Sequence, residues 1–228
     1  EMGENKIAGR EKSQKFEDKK GDNYNETVYL QRINLWRINQ HIKKFFTDNS
    51  LGEMLCKLAK VKKMRIWHDQ TLQKQPWANP TSWHLDNPKW SFYSKKSISI
   101  WIALDDATIL NGCVFYLSKS HKLAKFDNDV RIGKKMDDLF ELYPEFRKLD
   151  PVAAEMKAGD AGFHNGLIAH AAGANMTNNT RAAMTCAFMP DGSTYNGQQN
   201  ILSESYVEKL KIGDLLNDSS INPIVGDF

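Results

Sequence analysis

The residues Trp83-His84-Leu85-Asp86, taken with His170 and Arg181, carry the chemistry in this sequence. Side chains on an extended segment repeat every second residue, so His84 and Asp86 project to one side. A second histidine, distant in sequence, then closes a three-point face on one metal ion. Two imidazoles and one carboxylate, with positions left open, form the donor set that suits a ferrous ion able to take up O₂. Arg181 follows His170 by eleven residues. Its planar fork clasps a carboxylate through two parallel hydrogen bonds, which places it to hold a dicarboxylate beside the metal. Without Arg181 the residues indicate a metal site; with it they point to an oxygenase driven by 2-oxoglutarate.

The third metal ligand has two candidates, His164 and His170. They share parity on an unbroken strand, and Asn165-Gly166 between them suggests a turn that weakens the parity argument. His170 is favoured because Gly173, Asn175, Thr177 and Arg181 follow it; His164 either satisfies a buried hydrogen bond, the preferred reading, or lines the substrate side of the metal. His68-Asp69 is a decoy, since neighbours on a strand face opposite ways. His121 sits among lysines in a loop and His41 on a helix, neither with a partner. Trp101 is placed to wall one side of the co-substrate pocket, and Gln70 to donate a hydrogen bond there.

These groups need a scaffold. Residues 1–24 are polar, with little apolar periodicity, and read as a loose segment; residues 25–228 read as one domain. From Asn34 to Leu58 apolar residues recur at helical spacing, interrupted by Asp48-Asn49-Ser50 and Gly52, so two helices are expected. Val61–Trp67 turns extended. Ser97–Leu104 alternates in the manner of a strand, and Asn111-Gly112 makes a tight turn into Cys113–Leu117. Lys134–Leu149 reads as a helical insert. Strands resume at Pro151–Met156, Ala161–His164 and Leu167–His170 and finish at Arg181–Met189. Helices first and then short strands closing on one another predict an α+β, mainly β domain of barrel or jelly-roll type.

Bulk composition sets outer bounds. The 228 residues suffice for one domain with a sizeable core, and 41% hydrophobic content excludes a disordered chain. The net charge of +3 is too small to argue nucleic-acid binding, although it accommodates a small, carboxylated substrate. Cys56, Cys113 and Cys186 have neither disulfide-framework nor thiolate-metal spacing. No apolar run is long enough for a membrane span, and no signal peptide or Ser-Lys-Leu-type address is visible, so a cytoplasmic location is expected. The oligomeric state is not encoded in any recognisable pattern.

Several stretches occur together in a distinctive order: Thr81–Asp86, Trp101–Leu104, Asn111-Gly112-Cys113, Ser118–Lys122, Gly159-Asp160 and His170…Gly173…Asn175…Thr177…Arg181. Over Arg65 to Pro190 the chain resembles the phytanoyl-CoA dioxygenase family. The resemblance implies a double-stranded β-helix (cupin-like) core with Fe(II) held by His84, Asp86 and His170. It also implies 2-oxoglutarate held by Arg181 beside Trp101 and Gln70, O₂ as oxidant, and ascorbate as reductant in vitro. Two departures stand out: Ala172 occupies a position where many relatives carry serine, and the N-terminal lysine of some members has no counterpart. Retention of Asp86 sets the chain apart from halogenating relatives. The implied reaction is oxidation of a C–H bond of a small metabolite, by hydroxylation, desaturation or ring closure, in the setting of secondary metabolism. The rivals are a non-catalytic metal-binding β-barrel and a cupin-like metalloenzyme that needs no 2-oxoglutarate.

Overall fold

The computed structural model describes residues 28–128 and 130–227. The loose segment expected at 1–24 lies outside them. In chain order the main elements are β1 (Leu30–Ile33), α1 (Gln40–Phe46), α2 (Asn49–Ala59), β2 (Lys63–Lys74), β3 (Thr81–His84), β4 (Ile98–Ala103) and β5 (Val114–Leu117). There follow α3 (Asp138–Leu142), β6 (Pro151–Ala154), β7 (Ala161–Asn165), β8 (His170–Ala172), β9 (Arg181–Pro190), α4 (Glu204–Val207) and β10 (Ile224–Asp227). No helix among the described residues is long and apolar enough to cross a membrane.

The strands form two antiparallel sheets. The larger runs β1-β2-β9-β4-β7 with β10 also on β2, and the smaller runs β3-β8-β5-β6. Residues from both line one cavity. This is the jelly-roll arrangement that the sequence predicts.

The larger sheet uses its two faces differently. Ile98 and Ile100 on β4, Cys186 and Phe188 on β9, and Met64 and Ile66 on β2 pack with Phe46, Leu55 and Ala59 of the helices. The alternate positions, Ser99 and Trp101 on β4 and Thr185 and Ala187 on β9, face the cavity. The small polar residues of the Ser97–Leu104 alternation therefore mark the cavity face, and the isoleucines mark the face under the helices. Helices α3 and Pro144–Lys148 cover the back of the smaller sheet through Leu139, Tyr143 and Phe146, which pack with Leu85 and Leu117.

Two β-bulges set the inward face. The β2–β9 register slips between Ile66 and His68. Met64 and Ile66 thereby go under the helices while His68, Gln70 and Leu72 line the cavity. A bulge adds one residue to one strand and so reverses the alternation beyond it. The β3–β8 pairing also slips between Thr81 and His84, and both residues face inward despite being three apart.

The structure refines several predicted boundaries. The extended segment from Val61 continues to Lys74, which puts Gln70 on a strand. β8 begins at His170, while Asn165 caps a turn by accepting from the Leu167 N–H at 2.9 Å. Gly52 does not interrupt the helices. The break is at Asp48, whose side chain accepts from the Ser50 N–H, and Gly52 lies within α2. There α2 crosses β10 so closely that a Cβ on Gly52 would sit 2.4 Å from the Gly226 nitrogen. Gly226 has φ +71 and is itself constrained to glycine.

Gly52→Ala is expected to cost about 2 kcal/mol from overpacking against backbone. That corresponds to a fall in Tm of roughly 4–8 °C for a chain of this size. Gly133→Ala, whose added Cβ meets nothing nearer than 3.9 Å, is the control and should leave Tm unchanged. Thermal melts followed by circular dichroism check both.

Candidate metal centre

His84 ends β3 and His170 opens β8, and the two are paired across the strands. Their ring centroids are 4.1 Å apart. Asp86 lies just beyond β3, where its backbone N–H donates to Gly166 O at 3.2 Å and brings the carboxylate back over the imidazoles. Asp86 Oδ1 is 3.7 Å from His84 Nε2, and Oδ2 is 3.8 Å from His170 Nε2. One donor atom from each of the three residues lies within 4.8 Å of the others. The structure thus brings together the three predicted ligands.

Both imidazoles are aimed. His84 Nδ1 lies 2.8 Å from Ser82 O, and His170 Nδ1 lies 3.0 Å from Ile168 O. Donation of each Nδ1–H to a carbonyl fixes the tautomer and leaves the Nε2 lone pair facing Asp86, the usual support for a metal-binding histidine. Burial pushes both imidazole pKa values down, that of His84 well below the ordinary range. Burial also works to raise Asp86, but the surrounding His170, His164 and His84 override it and hold the carboxyl well below its usual value. Two neutral nitrogen donors and one half-buried carboxylate, convergent on one point, fit a divalent cation such as Fe(II).

His164 provides more than the structural bond expected of it. Its Nε2 is 3.6 Å from Asp86 Oδ2, and its Nδ1 is 3.2 Å from the Tyr116 hydroxyl. His164 belongs to the larger sheet and Tyr116 to the smaller, so this contact ties the two sheets together beside the ligands.

Arg181 opens β9 at the other end of the cavity. It is 3% exposed, and its guanidinium carbon sits 5.3 Å over the Trp101 ring. Nη2 donates to Gly112 O at 3.2 Å, while Nε and Nη1 are buried without a hydrogen-bond partner. Burial lowers its pKa to about 10, so it stays cationic at neutral pH. Across the strands lies Lys74, whose Nζ donates to Asn79 O at 2.5 Å and Val28 O at 3.3 Å. Burial, assisted by the charge of Arg181, lowers Lys74 to about 7.

The backbone around Arg181 is tightly drawn. Gly112 has φ +86, and a Cβ there would approach Gly173 O to 2.5 Å and Lys74 Cδ to 2.7 Å. The Asn175 side-chain amide donates to the carbonyls of Lys74, Gln75 and Asn179, and Thr177 Oγ1 donates to Asn175 Oδ1 at 2.7 Å. Gly173, Asn175 and Thr177 therefore fix the loop that delivers Arg181.

The cavity encloses about 720 Å³ of empty space, part of it open to solvent, and is lined by His84, Asp86, His170, Trp101, Arg181 and Gln70 among others. Gln70 Oε1 accepts from the Gln31 amide, which ties it to β1. His68 and Asp69 do point to opposite faces. Asp69 accepts from the Leu35 and Trp36 N–H groups at 3.0 and 2.8 Å, whereas His68 lines the cavity. His68, set aside as a decoy, and Ser99, Tyr116 and Thr185 are among the inward residues that sequence reasoning did not assign to the site. Only the inward parity of Ser99 on its alternating strand was visible beforehand.

The profile of the phytanoyl-CoA dioxygenase family matches residues 6–183, and the chain belongs to that family. Dioxygenase lolE1 of Epichloe uncinata is 31% identical over 157 residues, covering 68% of this chain and 56% of the relative. A phytanoyl-CoA dioxygenase of Arabidopsis thaliana is 30% identical over 100 residues, covering 44% of this chain and 35% of the relative. The chain thus spans about half or less of the length of these curated relatives. Among solved structures, the non-heme alpha ketoglutarate dependent carbocyclase SnoK from nogalamycin biosynthesis superposes with a TM-score of 0.73. It is 24% identical, over 87% of this chain and 76% of its own. The epimerase SnoN, in complex with Fe3+, alpha ketoglutarate and nogalamycin RO, gives 0.70 at 21% identity, over 86% and 78%. At these identities the likeness is one of fold.

His84→Ala is expected to lower iron affinity by roughly 100-fold or more, beyond the ~10–100-fold that loss of a supporting contact costs. Iron content after anaerobic loading and desalting, with circular dichroism as the folding control, measures this. Wild-type iron retention by the variant would remove His84 from the ligand set.

Proposed function

We propose that this member of the phytanoyl-CoA dioxygenase family is an Fe(II)/2-oxoglutarate-dependent dioxygenase. Its reaction is oxidation of a C–H bond of a small organic molecule, with residues 25–228 as the catalytic unit. The observation that carries this reading is the shared cavity. A three-donor metal face lies at one end, and a buried guanidinium with two unpartnered N–H-bearing nitrogens lies at the other. A metal site alone does not need a buried cation with idle donors. A keto-dicarboxylate supplies a reason for both.

His84, Asp86 and His170 would hold the iron. When bound, iron, O₂ and the keto acid supply the oxidising power that removes hydrogen from an unactivated C–H, the keto acid leaving as succinate and CO₂. The chain supplies orientation and protection. Arg181 receives the distal carboxylate of 2-oxoglutarate through its free nitrogens, held flat by the Trp101 face behind it. Nearby Lys74 does not line the cavity; its Nζ donates to Asn79 O and Val28 O and ties down the backbone behind Arg181. Val114 and Ala172, paired across the smaller sheet, present hydrocarbon to the cavity, and Thr81 presents a hydroxyl opposite Ala172. Thr81 thus offers a polar contact beside the position where relatives carry serine. Trp90 and Tyr116 wall the metal end and limit the entry of water. Ser82 O and Ile168 O retain the Nδ1 protons of the ligand imidazoles throughout.

The reading excludes a metalloenzyme that works without a keto acid and a barrel that binds metal without turnover. Succinate formation dependent on iron, O₂ and added 2-oxoglutarate is the test, measured with ascorbate present. No succinate above the metal-free control, from protein shown to retain iron, would end this reading. Arg181→Leu is expected to weaken 2-oxoglutarate binding by about 10- to 100-fold, the range for losing hydrogen bonds to a charged partner. It should leave iron content unchanged. Isothermal titration of the anaerobic iron-loaded protein with 2-oxoglutarate reads the first effect and elemental analysis the second. An unchanged 2-oxoglutarate affinity would give the arginine a different task.

A further inference from the structure

The larger sheet aims four side chains in one line at the cavity. His68 on β2 pairs with Ala187 on β9, Ala187 with Ser99 on β4, and Ser99 with His164 on β7. All four line the cavity. Strands lie about 4.8 Å apart, so three steps separate the two histidine backbones by roughly 14 Å. Only a methyl and a hydroxymethyl group stand between them. The row is a trough with an imidazole post at each end.

Each post has a buried nitrogen short of a hydrogen bond: His68 Nδ1 has no partner, and His164 Nε2 stands 3.6 Å from Asp86 Oδ2, beyond hydrogen-bond length; each residue is 8% exposed. A buried polar atom left unpaired is costly, and a ligand that pairs it removes the cost. The His68 ring is held in place: it meets the edges of Trp67 and Trp90 at centroid distances of 6.4 and 6.1 Å, and the bulge before it turns it inward. Burial pushes its pKa down to about 4, so it is a neutral donor and acceptor at physiological pH.

The charges lie elsewhere. Arg181 is the one Lys or Arg among the described residues lining the cavity, and Lys74, its cross-strand neighbour, is six residues beyond His68, roughly 20 Å along β2. Lys89, whose charge acts on His84, does not line the cavity. Asp86 contacts the trough at the His164 end, and its charge also reaches His68.

We propose that the row His68–Ala187–Ser99–His164 seats the organic substrate, and that this substrate is an uncharged, rigid ring compound. The two histidine backbones stand three strand spacings apart, a gap that a fused bicycle bearing a polar atom at each end can bridge. His68 anchors the end remote from the metal face and so determines which C–H is presented to it. The phosphates of a coenzyme A thioester find no cation along this wall. The inference rests on the dioxygenase reading for its chemistry but not for its binding test.

The probes are a naphthalenediol with hydroxyls at opposite ends, the corresponding hydroxynaphthoate, and palmitoyl-coenzyme A. Binding to the full chain is followed by tryptophan fluorescence, since Trp90 abuts His68. It is measured first without iron or 2-oxoglutarate and then with both under argon. The diol should bind saturably and more tightly than either charged probe. His68→Phe, which keeps the ring packing, should weaken it at least tenfold, and Ser99→Leu should abolish it. Both variants should keep wild-type iron content and 2-oxoglutarate affinity. The proposal fails if the diol does not bind, if a charged probe binds more tightly, or if His68→Phe binds the diol as well as wild type does. Because the first arm contains no cofactor, absence of succinate formation would overturn the dioxygenase reading alone. Normal succinate formation without diol binding would overturn the trough alone.

Discussion

The pairing of β3 with β8 sets His84 directly opposite His170, and the metal face depends on that register. Side chains alternate between faces with a period of two, so a slip of one residue would turn one imidazole out of the cavity. Register is guarded from both sides. β8 is also paired to β5, with Tyr116 opposite His170, and the Ala169 N–H beside it donates to Ser120 Oγ at 2.8 Å. Leu85, Leu167 and Ala169 anchor the surrounding turns in the hydrophobic cluster under the helical insert. The insert therefore serves the site by holding the smaller sheet's back face while its front face carries the ligands.

Charge is distributed along the cavity with the same economy. At the metal end one carboxylate stands among imidazoles kept neutral by burial, a net negative site awaiting a cation. At the other end Arg181 holds a positive charge away from water, and that charge, with burial, drives the pKa of Lys74 down. Burying charge without a counter-ion is destabilising, and proteins tolerate it where a ligand later supplies the partner. In the proposed function a keto-dicarboxylate on a ferrous ion would compensate both ends at once. Between the ends, Trp101 and Thr185 provide a wall without charge.

The bulges decide which residues belong to the site. On β2 the slip between Ile66 and His68 lets one strand serve the helix-covered core with Met64 and Ile66 and the cavity with His68 and Gln70. On β3 it lets Thr81 and His84 both face inward. Bulges next to active sites commonly re-aim side chains in this way. Neither is written in residue types, since β-branched and aromatic residues run through both strands without a glycine at the slip.

Much of the site was legible before any coordinates. His84, Asp86 and Arg181 stand out because their chemistry is specific and their order along the chain restricts what they can do together. Ser97–Leu104 announces a strand by alternation, and Asp48-Asn49-Ser50 a break between two helices. Those are local properties, fixed by side-chain period and backbone hydrogen bonding within a few residues. The choice between His164 and His170, the seat of His68 and the close approach of Gly52 to Gly226 were not local. Each depends on which strand lies beside which and in what register, and the contacts concerned span long stretches of chain. Only the folded sheets put His170 opposite His84, set His164 on the facing wall, and turned His68 inward.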